Sequence, residues 1–181
     1  MKAVVLTLLL LPVWAFAQNN TYFSADGSAN FGHYLQYTGY SLNISGNIKM
    51  IDNLYIGVAT GAVQIQPFVK NLSFPLSGRL TFFTSNSEER VAPFGLFEVG
   101  RLFYKEKNFG DLASNTLEGK LSFFTGVGVK LNSEKKVHSF FAIGYSGFYY
   151  TNNQYGEVHS VVSSRPYNYR RLSVKVGIML P

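Results

Sequence analysis

The sequence predicts an all-β protein: a closed, antiparallel, eight-stranded transmembrane β-barrel with up-and-down meander connectivity. Three observations carry this expectation. Apolar residues recur with a period of two over segments of about ten residues or more. The connections between those segments alternate between short and long, which strand periodicity alone does not require. The polar faces are built mostly from Gly, Ser, Asn and Thr in a chain only 14% charged, a composition that suits a crowded interior better than a face turned to water.

The first residues read as an export signal. Lys2 precedes an apolar run from Ala3 through Trp14, and Ala15-Phe16-Ala17 offers small residues to a peptidase before the polar Gln18-Asn19-Asn20. An apolar run of about 12 residues is too short for a membrane-spanning helix, which needs about 20. Residues 1–17 are therefore expected to be a cleaved signal peptide, and residues 18–181 a single barrel domain.

The strands follow in order. An initial, weaker one is expected over Tyr22 to Gly32. From Tyr40 to Lys49 the apolar set Leu42, Ile44 and Ile48 faces away from Ser41, Asn43, Ser45, Asn47 and Lys49. The same pattern recurs over Leu54 to Ile65, Leu76 to Phe83 and Pro93 to Tyr104. From Leu117 to Leu131 it places Leu117, Leu121, Phe123, Val127, Val129 and Leu131 on one face, opposite Glu118, Lys120, Ser122, Gly126, Gly128 and Lys130. Another strand is expected over Val137 to Tyr150. The clearest closes the chain, where Leu172, Val174, Val176, Ile178 and Leu180 alternate with Arg171, Ser173, Lys175, Gly177 and Met179.

Short turns are expected at Asp52-Asn53, around Ser85 to Ala92 and at Asn132 to Lys136. Longer connections are expected near His33 to Gly39, Gln66 to Pro75, Lys105 to Asn115 and Thr151 to Asn168. Short turns on one rim and long loops on the other is the arrangement of outer-membrane barrels, with the short set in the periplasm. Aromatics gather near strand ends (Tyr22, Phe23, Tyr37, Tyr40, Phe103, Tyr104, Phe148, Tyr149, Tyr150, Tyr167 and Tyr169), as interfacial girdles would require.

This pattern resembles the small barrels of the OmpA/OmpX type, and in particular the outer-membrane β-barrel domain proteins common in Bacteroidota. The resemblance spans the mature chain and rests on strand pattern, without a diagnostic motif. It implies residence in a bacterial outer membrane. Barrels of this group usually end on an aromatic residue, whereas this chain ends Gly177-Ile178-Met179-Leu180-Pro181.

Composition removes several functions. Without cysteine there is no lipoprotein anchor, disulfide framework, thiolate metal site or cysteine nucleophile. The formal charge of +6 is scattered and includes Lys2, so with export it argues against a nucleic-acid partner. No metal spacing or phosphate cradle occurs, no cofactor is expected, and Gly126-Val127-Gly128 reads as close packing within a strand.

An eight-stranded barrel is only wide enough for side chains to fill. Parity places Asp26, Lys49, Arg79, Glu98, Glu118, Lys120, Lys130, His138 and Lys175 inside, as a mixed-sign network that plugs the lumen. Arg101 breaks parity and is assigned to the outer rim, or to a bulge at Gly100. With Lys105, Lys107, Arg165, Arg170 and Arg171 it forms a basic rim suited to lipopolysaccharide phosphates; Lys70 adds to the basic excess, against the fewer acids Glu106, Asp111 and Glu157.

The expected role is structural or interactive, with membrane lipid and lipopolysaccharide as partners and loops open to host or neighbouring envelope proteins. Three alternatives compete: an outer-leaflet lipid A-modifying enzyme, a narrow channel, and a soluble periplasmic lipocalin-like binder of apolar ligands. The enzyme reading rests on His159-Ser160, which has no evident carboxylate to orient its imidazole. His33 reads as a loop residue and His138 as an interior one.

Overall fold

The computed structural model describes residues 21–32, 38–65, 71–84, 89–107, 115–133, 137–155 and 161–180. The leader, His33, Tyr37, Lys70, Asp111, Glu157 and the His159-Ser160 pair lie outside them.

Among the described residues nine strand segments form one antiparallel sheet: β1 (Thr21–Phe31), β2 (Thr38–Ile51), β3 (Leu54–Ile65), β4 (Phe74–Phe83), β5 (Val91–Phe103), β6 (Lys105–Lys107), β7 (Asn115–Leu131), β8 (His138–Tyr155) and β9 (Val161–Leu180). Each long strand pairs with its sequence neighbour, and β1 pairs with β9 to close the cylinder. The short β6 continues β5 along the same neighbour, β7, so the cylinder has eight staves in meander order. Closure leaves no free edge where the sheet is complete, the condition for strands to lie in hydrocarbon.

The stagger is read from register. Ala25 pairs with Ile44, and the circuit continues through Thr60, Leu76, Arg101, Leu121 and Tyr149 to Asn168 on β9. Ala25 itself pairs with Ile178. The ten-residue offset between Asn168 and Ile178 tilts the strands by an amount within the usual range of about 35–45°.

Side chains alternate strictly through β4, from exposed Phe74 to buried Phe83, because Pro75, Ser77, Arg79, Thr81 and Phe83 share the inner face. The outer face carries an aliphatic band: Leu42 is 72% exposed, Val127 64% and Val176 57%. The two-residue turn Asp52-Asn53 joins β2 to β3 at one rim, between the partners Ile51 and Leu54.

Three expectations change. The segment from Thr151 to Asn168 is largely strand, because β8 and β9 remain paired well above the end of β1, whose register with β9 stops at Phe31↔Leu172. In β7 a bulge between Gly119 and Leu121 takes Lys120 out of register and reverses the phase above it. Leu117 is consequently buried inside, whereas Glu118 and Lys120 turn outward. Finally, many of the terminal aromatics form no girdle: Tyr22, Phe148 and Tyr150 are buried in the lumen, whereas Phe23, Tyr40 and Phe103 do face outward.

Candidate functional site in the barrel lumen

The interior has three layers. Near the short-turn rim, Tyr22, Tyr55, Phe83, Phe94 and Phe140 form a chain of rings with successive centroids 5.1, 5.6, 5.7 and 5.9 Å apart, mostly edge to face. Such contacts are worth about 0.5–1.5 kcal/mol each beyond area burial. Tyr22 donates its hydroxyl to Thr81 Oγ1 at 2.9 Å, so the floor carries no stranded phenol there. Near the long-loop rim a second cluster of Val63, Ile65, Leu102, Leu117, Phe148 and Tyr150 forms a ceiling. Tyr150 packs edge-on to Tyr104 and Tyr169, each at 5.6 Å, and its hydroxyl lies 3.0 Å from Ser73 Oγ.

Between floor and ceiling lies the charged layer. Arg79 on β4 is 4% exposed and every guanidinium nitrogen is used. Nε donates to Glu98 Oε1 at 2.6 Å, Nη1 to Ser24 Oγ at 2.6 Å and Ser45 Oγ at 2.7 Å, and Nη2 to Asp26 Oδ2 at 2.8 Å. Nη2 also contacts Glu98 Oε1. Lys175 on β9 donates to Glu98 Oε2 at 2.7 Å, lies 3.6 Å from Asp26 Oδ1, and rests 4.4 Å from the Phe124 ring centroid. Asn43 donates to Asp26 Oδ1 at 2.9 Å. Two cations meet two anions, so the quartet is neutral. Its hydrogen bonds replace the water that burial removes, which is the condition for burying charge at all.

Above the quartet a cavity of about 40 Å³ is lined by polar side chains such as Ser28, Asn30 and Ser41 together with apolar ones such as Val63, Phe124 and Phe148. Its volume suits water rather than a larger solute, and its hydroxyl and amide groups could hold one. Ser146 and Ser173 hydroxyls are 2.5 Å apart, and Ser173 donates to Asn30 Oδ1 at 2.5 Å.

The remaining residues assigned to the interior lie elsewhere. Lys49 shares the inner parity but sits at the short-turn rim, 3.4 Å from exposed Asp52. Lys130 lies at the same end, 5.2 Å from the Phe83 ring centroid. His138 is at that rim too, where its Nδ1 accepts from Ser133 N at 3.2 Å, so it is no deep interior residue. Glu118, turned out by the bulge, pairs with Lys120 at 3.1 Å and Lys105 at 3.6 Å.

The basic rim also divides. Arg171 is 3% exposed and points inward, donating to Asn30 O at 3.4 Å beneath the Tyr169 ring, because it shares parity with Ser173 and Lys175. Arg101, Lys105, Lys107, Arg165 and Arg170 are exposed. No bulge occurs at Gly100: register runs unbroken through Ser77↔Gly100 and Leu76↔Arg101, and Arg101 faces outward. Sequence reading missed the two aromatic layers, although parity offered a signal, since Phe94 and Glu98 lie four residues apart on one face of β5.

Among the described residues no group of His, Asp or Glu is arranged to hold a metal ion. A charge-compensated layer between two buried apolar clusters, inside a sheath of aliphatic side chains, defines the class: a small outer-membrane-type β-barrel with a side-chain-filled lumen. Solved structures share this architecture. Outer membrane protein OprG from Pseudomonas aeruginosa superposes with a TM-score of 0.61 at 8% identity, covering 89% of this chain and 95% of that one. Neisserial surface protein A gives 0.56 at 15% identity, covering 88% and 96%. The N-terminal β-barrel domain of P. aeruginosa OprF gives 0.54 at 11% identity, covering 90% and 98%. At these identities the likeness is one of fold. No protein-family model and no curated protein matches the sequence.

Proposed function

We propose that this chain is an integral protein of a bacterial outer membrane, exported by its first 17 residues, whose closed barrel has a structural or surface-interaction role. The observation that carries this reading is the inversion of the usual soluble arrangement. Leu42, Ile44, Val58, Val127 and Val176 stand in the open, while Asp26, Arg79, Glu98 and Lys175 are buried and paired. In water that outer band would be a contiguous apolar surface far beyond what a soluble monomer exposes; in hydrocarbon it is the natural solvent face.

The filled lumen disfavours steady solute passage, and the soluble lipocalin-like alternative would need the aliphatic face inside. The partners proposed are outer-membrane lipid, lipopolysaccharide at the long-loop rim, and host or neighbouring envelope proteins at the loops.

Electrophoresis of a purified outer-membrane fraction, with and without boiling, tests this reading. The folded barrel should run at one mobility unheated and shift on boiling. Recovery in the soluble periplasmic fraction with no shift would refute it.

A further inference from the structure

Arg101 is a cation on the lipid-facing wall. It lies ten residues above Val91, the short-turn end of β5. At ~3.3 Å per residue along a strand tilted by ~40°, it stands ~25 Å up the barrel, the height of a typical apolar band. Its register partners Leu76 and Leu121 are both exposed apolar residues, and its guanidinium lies 5.7 Å from the Phe103 ring centroid. Among the described residues it forms no ion pair.

The wall is also indented there. The β5–β7 ladder stops at Arg101↔Leu121 and resumes as Lys105↔Glu118, which leaves three residues on one side against two on the other. A groove of about 520 Å³ opens at this irregularity, lined by Leu72, Phe74, Arg101, Phe103, Lys105 and Glu118 among others. Glu118 pairs with Lys120 at 3.1 Å and more loosely with Lys105 at 3.6 Å, so Arg101, Lys105 and Lys120 meet a single acid and a net positive charge remains. Arg101 stands at the lower end of the groove, level with Leu76 and Leu121, and Phe103, its partner Phe74 and Lys105 lie above it toward the long-loop rim.

We propose that this groove holds a phosphate of a phosphorylated, multiply acylated glycolipid of the outer leaflet, with Arg101 and Lys105 on the phosphate and an acyl chain descending along Leu76, Val99 and Leu121. The proposal rests on the membrane reading above and extends it to one defined site. Guanidinium and phosphate match in charge and in donor geometry. The height places the phosphate at the outer interface, and Leu76 and Leu121, level with Arg101 and 49% and 41% exposed, lead to Val99 and the apolar surface below it.

Native mass spectrometry of the full mature barrel in detergent, titrated with bis-phosphorylated lipid A, dephosphorylated lipid A or phosphatidylglycerol, tests it. Bis-phosphorylated lipid A is expected to bind most tightly, and Arg101→Gln to weaken it by about tenfold, as loss of a charge-assisted contact implies. Lys105→Gln should weaken it less, Arg101→Lys should restore part of the loss, and Lys49→Gln, at the opposite short-turn rim, should leave it unchanged. Equal binding by Arg101→Gln, by dephosphorylated lipid A or by phosphatidylglycerol would overturn the assignment. Each variant is first checked for the heat-dependent mobility shift. A wild-type barrel that shifts but lacks this selectivity defeats only the lipid site; one that never shifts defeats the membrane reading.

Discussion

Arg79 and Glu98 are direct register partners on β4 and β5, and their side chains meet inside the barrel with the guanidinium held by the carboxylate and by Asp26. The pair is the centre of a neutral quartet completed by Lys175. Removing one member leaves an uncompensated buried charge. Arg79→Ala is expected to destabilise the folded barrel by about 3–5 kcal/mol, read as a lower temperature of the mobility shift. An unchanged transition would show that the quartet does not hold the barrel.

Glu118 gives the contrasting case. Its partners are half-exposed lysines outside the barrel, so Glu118→Ala should change stability by only about 0–1 kcal/mol. This reverses the expectation that follows from strict parity, which puts Glu118 in the lumen. Thermal transitions of Glu118→Ala and Arg79→Ala measured side by side check the bulge at Lys120 as well as the charges.

Gly144 faces Gly126 across β7 and β8, and the edge of the Phe124 ring fits against both: a Cβ added at Gly144 would stand 2.7 Å from its Cζ and 2.6 Å from Gly126 Cα. Gly144→Val should therefore displace Phe124 from its place beside Lys175 and cost about 1–3 kcal/mol. Gly95, whose added Cβ would meet nothing within 4 Å, should accept alanine with little change. A Gly144→Val barrel as stable as wild type would contradict the interior packing described.

Cleavage after Ala17 would remove Trp14, the chain's only tryptophan. The mature protein is then expected to show tyrosine emission alone, and its intact mass to begin at Gln18. Tryptophan emission from the membrane-purified protein would place the cut before Trp14 or show that the leader is retained.

The eight staves were legible because an aliphatic outer face and a packed interior impose a period of two that few loops imitate, as in Leu172 to Leu180. Asp26, Arg79, Glu98 and Lys175 follow from the same parity. Parity fails where register slips: one extra residue at Lys120 reverses Leu117 and Glu118, and a bulge has no fixed composition to reveal it. The connection expected from Thr151 to Asn168 is mostly strand, and it was not legible because its Tyr, Asn and Ser residues are polar on both faces and show no period of two. The aromatic floor and ceiling were hidden by the habit of assigning terminal aromatics to the interface, although Tyr22 and Phe94 share the inner face with Asp26 and Glu98.

The most direct test of the account is a nitroxide scan of β9, which the absence of cysteine makes straightforward. Single cysteines placed from Leu172 to Leu180 would be spin-labelled in barrels reconstituted into bilayers, and their accessibility to lipid-dissolved oxygen measured. Accessibility should be high at positions 172, 174, 176 and 178 and low at 173, 175 and 177. The opposite phase, with the aliphatic positions shielded, would mean that this face is a core and that the barrel is a soluble one.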